Sequence, residues 1–213
     1  MKRVILLGSS GSIGESTCKV ARALPDKMKI VGLGVAKSTE RLLEQAKEFG
    51  VKALAVSDPQ AAEKVKSKLP AGAKFFPGAE GLARMVEETD ADMVLVAIVG
   101  TAGLAPALAA LRSGKDLAVA SKEILVLAGS AVMAEAKKRK RQVLPVDSEH
   151  NAIFQCLQGA NEKEVRKVIL TASGGPFRQS RAAEVREGDG SSSVKASHLV
   201  DGKKNHDRFS DHV

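Results

Sequence analysis

Residues 3–7, R-V-I-L-L, form a short apolar run that stops at Gly8, and Gly11 and Gly14 follow before a helical pattern that continues to residue 24. An apolar run bounded by glycine reads as a buried strand. Small residues between a strand and a helix let backbone N–H groups approach an anion at the helix amino terminus. The spacing is G-x-x-G-x-x-G rather than the commoner G-x-G-x-x-G, so the string alone is of middling specificity. Its position directly after the first strand is what makes it a candidate pyrophosphate-binding turn.

The rest of the chain extends this beginning by alternation. Apolar runs at 29–35, 53–56, 74–76, 92–98, 116–120 and 142–146 read as strands. Between them, helical patterns fall at 42–49, 59–69, 80–87, 106–112 and 122–138. Such alternation implies a parallel sheet with helices on both faces, an α/β fold of the Rossmann-like, doubly wound kind. In such a sheet ligands bind at the carboxyl ends of the strands, so the residues that leave those ends are the ones to inspect.

After the second strand an NAD site would usually carry Asp or Glu for the ribose hydroxyls. Here the residues are Ala36, Lys37, Ser38 and Thr39. A cation and two hydroxyls suit a 2′-phosphate and point to NADP; the alternative is a routine loop and helix cap. After the sixth strand stand Ser121, Lys122 and Glu123, where a lysine either polarises a substrate oxygen or simply starts a helix. The next strand runs into L-P-V-D-S-E-H-N-A-I-F-Q-C-L at 144–157. Asp147 and Glu149, separated by one residue, can converge on a hard divalent cation, which prefers oxygen ligands. Asp147 or Ser148 as helix N-cap, with Glu149 near the positive end of the dipole, is the competing reading. A further strand over 165–171 ends in A-S-G-G-P-F, a turn that offers the Ser173 hydroxyl and close backbone approach.

Composition narrows the partners. With 3% aromatic residues and neither Trp nor Tyr, the chain lacks stacking platforms for single-stranded nucleic acid, and no nucleic-acid partner is expected. The net charge of +8 suits a phosphorylated ligand. Part of it is the run at 137–141, K-K-R-K-R, read as the solvated carboxyl end of a helix. Cys18 and Cys156 have no metal-ligand spacing, and neither a signal peptide nor a membrane-spanning stretch is evident. A reducing, cytoplasmic location is therefore expected, with no membrane partner.

Together these residues resemble the 1-deoxy-D-xylulose 5-phosphate reductoisomerase family. The matching strings are G-S-S-G-S-I-G at 8–14, A-I-V-G-T-A-G-L-A-P at 97–106, S-K-E at 121–123, P-V-D-S-E-H-N-A-I-F-Q-C-L at 145–157 and L-T-A-S-G-G-P-F at 170–177. The resemblance implies an NADPH-binding domain over residues 1–145 and the beginning of an α+β catalytic domain over 146–177. It implies rearrangement and NADPH-dependent reduction of 1-deoxy-D-xylulose 5-phosphate to 2-C-methyl-D-erythritol 4-phosphate, in isoprenoid biosynthesis by the non-mevalonate route. The implied metal is Mg2+ or Mn2+ (or Co2+), and the implied assembly of the full-length enzyme is a homodimer.

By the same resemblance, Gly8, Ser10, Gly11, Ser12 and Ile13 hold the cofactor diphosphate, and Ala36, Lys37 and Ser38 lie near the adenosine ribose phosphate. Ser121, where the family usually has Asn, and Glu123 contact the cofactor. Lys122, Ser148 and Ser173 bind substrate, and Asp147 and Glu149 bind the metal.

Residues 178–213 depart from this pattern. They are polar and Gly/Ser-rich, and His198, His206 and His212 have spacings of eight and six residues that fit no zinc motif. The family is expected to show H-P-x-W-S-M-G-x-K-I-x-x-D-S-A-T-M here. Synonymous codons exist for residues 196–213 such that a reading one base later gives H-P-T-W-S-M-G-K-K-I-T-I-D-S-A-T-M. The tail is therefore expected to be an aberrant, frame-shifted segment, not selected to pack, and the chain an inactive fragment. Two other functions remain open: an NADP-binding module without catalysis, and an NADP-dependent dehydrogenase of another type.

Overall fold

The computed structural model of the chain describes residues 1–168. Fourteen elements alternate within a compact unit that runs from Met1 to Gln158. They are β1 (Lys2–Leu7), α1 (Ser12–Ala23), β2 (Met28–Val35), α2 (Thr39–Phe49), β3 (Ala53–Val56), α3 (Pro59–Val65) and β4 (Lys74–Pro77). The second half continues with α4 (Ala79–Glu88), β5 (Met93–Val96), α5 (Leu104–Arg112), β6 (Asp116–Val119), α6 (Lys122–Arg139), β7 (Val143–Pro145) and α7 (Ser148–Leu157). A second unit begins at Gly159, and its described part holds a single 3-10 turn over Glu162–Glu164.

The strands form one parallel sheet in the order β4-β3-β2-β1-β5-β6-β7. The two-residue period of a strand divides its apolar side chains between two cores. From β1, Ile5 and Leu7 pack on one face with Leu82 and Met85 of α4 and Ala107 and Leu111 of α5. Val4 and Leu6 pack on the other with Cys18 of α1 and Leu42 and Ala46 of α2. Ile5, Leu6, Leu7, Leu33, Leu54 and Leu117 are wholly buried. Each such side chain contributes about 1.5–3 kcal/mol by leaving water, which is why the central strands read as unbroken apolar runs.

The doubly wound architecture expected from the alternation is present, and its boundaries differ in detail. The helix expected over 59–69 ends at Val65 and tightens into a 3-10 turn over Lys66–Lys68. β5 stops at Val96, because the chain then turns into a 3-10 segment over Gly100–Gly103 that leads into α5. α6 is broken at Ala128, whose φ of −142° and ψ of 27° are not helical. Residues 165–168 carry no strand; the remainder of the strand expected over 165–171 lies outside the described residues. α7 buries none of its side chains within the described residues, although it carries Ile153, Phe154 and Leu157.

Candidate functional site

Strand register gathers the loops. Leu7 pairs with Gly34 on one side and with Val96 on the other; Val96 pairs with Val119, and Val119 with Pro145. Gly8, Ala97, Ala120 and Val146 therefore leave the same edge of the sheet, beside the end of β2. The chain winds outward from β1 through β2 to β4, then returns to β5 on the other side of β1. A parallel sheet opens a crevice at such a reversal, beyond the strand carboxyl ends.

The turn after β1 lies at this reversal. Gly8 has φ +85°, and a Cβ there would sit 2.3 Å from the Ala97 carbonyl oxygen; a Cβ on Gly14 would sit 2.3 Å from the carbonyl oxygen of Gly8. Only glycine fits either position, so the loops after β1 and β5 and the first turn of α1 are held in backbone contact. Gly8 and Ser9 donate their N–H groups to the Gly34 carbonyl at 2.8 and 3.1 Å, and Gly11 donates to Gly8 at 3.1 Å. Gly11, the N-cap of α1, contributes no side-chain cap. The N–H groups of Ser12, Ile13 and Gly14 donate to no group among the described residues. Three open donors at the positive end of a twelve-residue helix suit a diphosphate.

An acid in the first turn of α1, Glu15, would oppose such an anion. The Arg41 guanidinium holds it in two hydrogen bonds of 2.6 and 2.7 Å, and Gln45 Nε2 adds a third at 3.1 Å. The Arg41 hydrogen bonds keep the Glu15 carboxyl below its ordinary value, against its partial burial. Gln45 is wholly buried and also donates to the Ser9 carbonyl at 3.0 Å.

Ala36, Lys37 and Ser38 are exposed at the end of β2. Ser38 is the N-cap of α2 but makes no side-chain cap bond, so its hydroxyl is not committed to the helix. Lys37 Nζ lies 3.7 Å from Asp58 Oδ2 and is 79% exposed. Asp58 caps α3 by accepting from Ala61 at 2.9 Å, so the acid at this part of the edge follows β3 rather than β2.

On the other side of β1, Ser121 is buried at the start of α6. Its hydroxyl lies 3.3 Å from the Gly100 carbonyl and 3.0 Å from Glu123 Oε2, tying the loop after β5 to the one after β6. Glu123 is lowered from its ordinary value by its own backbone N–H and then by Ser121. Lys122 is exposed, and its charge helps to hold down both Glu123 and Glu149.

Asp147 is the N-cap of α7, so the capping reading of its sequence is realised. It accepts from the His150 N–H at 2.9 Å, and its Oδ1 lies 2.7 Å from His150 Nδ1. Burial pushes the Asp147 carboxyl up, but the His150 backbone and side-chain hydrogen bonds together outweigh it and leave the group below its ordinary value. Glu149 is lowered first by the Ser148 hydroxyl, at 2.7 Å. Two ionised carboxylates and a hydroxyl on one helix turn are a hard-oxygen donor set that fits Mg2+ or Mn2+. Among the described residues no group of three or more His, Cys, Asp or Glu side chains is placed to hold a metal. Ser173 lies outside the described residues, as do His198, His206 and His212.

Sequence reasoning did not single out Arg41, Gln45, Asp58 or His150. One signal was available for Gln45. It shares the helical stripe of Leu42 and Ala46, and a polar residue in a buried stripe needs partners.

Comparison with known proteins identifies the family and the fold. The family model of 1-deoxy-D-xylulose 5-phosphate reductoisomerase matches residues 4–129. The chain belongs to this family. The model of the reductoisomerase C-terminal domain matches residues 143–205, a match that extends beyond Phe177 into the segment expected to be aberrant. The reductoisomerase of Thermoanaerobacter sp. (strain X514) is 46% identical over 187 residues, which are 88% of this chain and 49% of that protein. A reductoisomerase from Zymomonas mobilis in complex with NADPH aligns with TM-score 0.79 at 38% identity, over 86% of this chain and 48% of that one. A DOX-P reductoisomerase in complex with NADPH, fosmidomycin and magnesium aligns with TM-score 0.74 at 36% identity, over 88% and 49%. The chain spans about half the length of the curated relatives it matches. Among the described residues no helix is long and apolar enough to cross a membrane.

Proposed function

We propose that this chain binds NADPH at the carboxyl edge of its sheet and supplies part of the site at which 1-deoxy-D-xylulose 5-phosphate is rearranged and reduced to 2-C-methyl-D-erythritol 4-phosphate. The observation that carries this reading is the set of open N–H donors on Ser12, Ile13 and Gly14, flanked by the row of loops at the reversal of strand order. Ser10, Gly11, Ser12 and Ile13 surround the diphosphate, and Gly8 lets the backbone come close. Lys37 and Ser38, beside Ala36, meet the 2′-phosphate. Ser121 and Glu123 position the nicotinamide side, and Glu123 offers a carboxylate to the cofactor.

Asp147 and Glu149 hold Mg2+ or Mn2+ (or Co2+), which when bound clamps substrate oxygens and offsets their developing charge. Lys122 and Ser148 hold the same substrate oxygens, and Ser173 extends the substrate contacts. Lys122 presents a fixed positive charge toward oxygens that grow more negative. NADPH supplies the hydride for the reductive step.

Division of the chain into a cofactor domain at 1–145, the start of a catalytic domain at 146–177 and a frame-shifted tail at 178–213 belongs to this proposal. So do a homodimeric full-length enzyme, a small sugar phosphate as its substrate and a cytoplasmic location. The 213-residue chain by itself binds cofactor without turnover, because its sequence departs from the family string that would complete the metal site. The test follows NADPH oxidation with 1-deoxy-D-xylulose 5-phosphate and Mg2+, beside cofactor binding by fluorescence. Binding without oxidation is expected; oxidation at an enzyme's rate contradicts the fragment reading, and no binding contradicts the site itself.

A further inference from the structure

The amide of Gln45 fastens the turn that leads into α1. Gly11 is extended there, with φ −80° and ψ 172°, so the helix starts at Ser12 and the Ser9 carbonyl takes no part in it. That carbonyl instead accepts from Gln45 Nε2 at 3.0 Å, and the first backbone bond of α1 is Glu15 N–H to the Gly11 carbonyl at 2.8 Å. Gln45 comes from α2, thirty-six residues away. Its amide is oriented by a second bond to Glu15 Oε1, which Arg41 in turn grips with both of its facing nitrogens. Two buried atoms at this junction, Ser9 Oγ and Gln45 Oε1, have no hydrogen-bond partner among the described residues. An apolar side chain would avoid the cost of burying such an amide. The amide is instead placed where it ties α2 to the turn before α1.

We infer that Gln45, oriented by Glu15 and Arg41, is a positioning residue that holds the turn before α1 so that the open N–H groups of Ser12, Ile13 and Gly14 meet the cofactor diphosphate. It does so by anchoring the Ser9 carbonyl to α2. Arg41 has a second part in the same device. By pairing with Glu15 it neutralises the carboxylate nearest the helix amino terminus, where that charge would repel the diphosphate. The inference rests on the proposed placement of the cofactor at this turn.

The test uses the full chain and two substitutions. Gln45→Leu keeps the side chain's approximate size and removes the donor. It releases the Ser9 carbonyl, so the Ser9 and Gly11 amides, which donate to the Gly34 and Gly8 carbonyls, should exchange with deuterium faster in the cofactor-free Gln45→Leu chain than in the parent. NADPH affinity should fall about tenfold, the loss of one hydrogen bond to a charged group. Affinity for adenosine 2′-monophosphate, which has the 2′-phosphate and no diphosphate, should stay within about twofold, because its binding does not use that turn. Unchanged NADPH affinity together with unchanged Ser9 and Gly11 exchange overturns the inference. Equal losses for both ligands overturn it as well, since they mark a general structural effect.

Arg41→Gln covers the case in which the buried substitution does not fold. Arg41 is on the surface side of the network, and its removal should weaken NADPH by several fold while sparing adenosine 2′-monophosphate. No change in NADPH affinity for Arg41→Gln counts against the inference. Failure of the parent chain to bind NADPH refutes the proposed cofactor site itself, a result separable from every outcome of the variants.

Discussion

Asp147 Oδ1 receives the N–H of His150 at 2.9 Å and lies 2.7 Å from its imidazole Nδ1, so the carboxylate assigned to a metal also caps the helix that carries it. The two roles are separable by substitution. Asn caps about as well as Asp, whereas a hard divalent cation needs the charge. In a full-length version that carries the complete family sequence, Asp147→Asn should leave the melting temperature nearly unchanged and abolish Mn2+ binding, read by titration with the metal alone. Asp147→Ala should lose the metal and, in addition, about 1 kcal/mol of stability from the cap. Metal affinity retained in Asp147→Asn would remove Asp147 from the ligand set.

A second prediction concerns acid stability. Arg3 holds Asp92 through its side chain, Nη2 donating to Oδ1 at 2.8 Å, and through its backbone N–H, also at 2.8 Å. The Arg3 side-chain hydrogen bond, ahead of the backbone one, lowers the Asp92 carboxyl to about 2. An unfolded Asp titrates near about 3.9. A depressed folded value contributes stability that is fully present above the unfolded value and is lost as pH falls toward the folded one. The stability gap between the parent chain and Asp92→Asn should therefore be constant above about pH 5 and close between about pH 4 and 2. Denaturant midpoints at stepped pH measure it, and a gap that does not change with pH contradicts the assignment.

The two cysteines should differ sharply. Cys18 is wholly buried on the inward face of α1, and burial pushes its thiol up to about 11. Cys156 is exposed on α7. Since the thiolate is the reactive form, iodoacetamide at pH 8 should label Cys156 and leave Cys18 untouched in the folded chain. Mass spectrometry of the digested product shows which is modified. Labelling of Cys18 under native conditions would mean that the α1 face of the sheet opens readily.

Much of the fold was legible because parallel strands buried on both faces are continuous apolar runs, as in β1 and β3. Glycine spacing located the first turn, since Gly8 and Gly14 face carbonyl oxygens that admit no Cβ. The break in α6 at Ala128 directly precedes Gly129 and Ser130, a pair at which helices kink, and the helical pattern over 122–138 was read straight across it. The Gln45 network was hidden for a different reason. Its partners, Ser9 and Glu15, are more than thirty residues away or close to it, and only the folded sheet brings them together. The acids at 147–149 were visible as a motif, while the overlap of cap and candidate ligand at Asp147 required the backbone of α7.

The most direct measurement of the central claim is a pair of fluorescence titrations of the chain, one with NADPH and one with NADH. Lys37 stands exposed at the end of β2 with Ser38 beside it, and no acid occupies positions 36–39. A charge-assisted contact to the 2′-phosphate is worth about 1.5–3 kcal/mol, so NADPH should bind at least about tenfold more tightly than NADH, and Lys37→Ala should remove most of that preference. Equal or tighter binding of NADH, or no binding of either, would contradict the assignment of this edge of the sheet to NADPH.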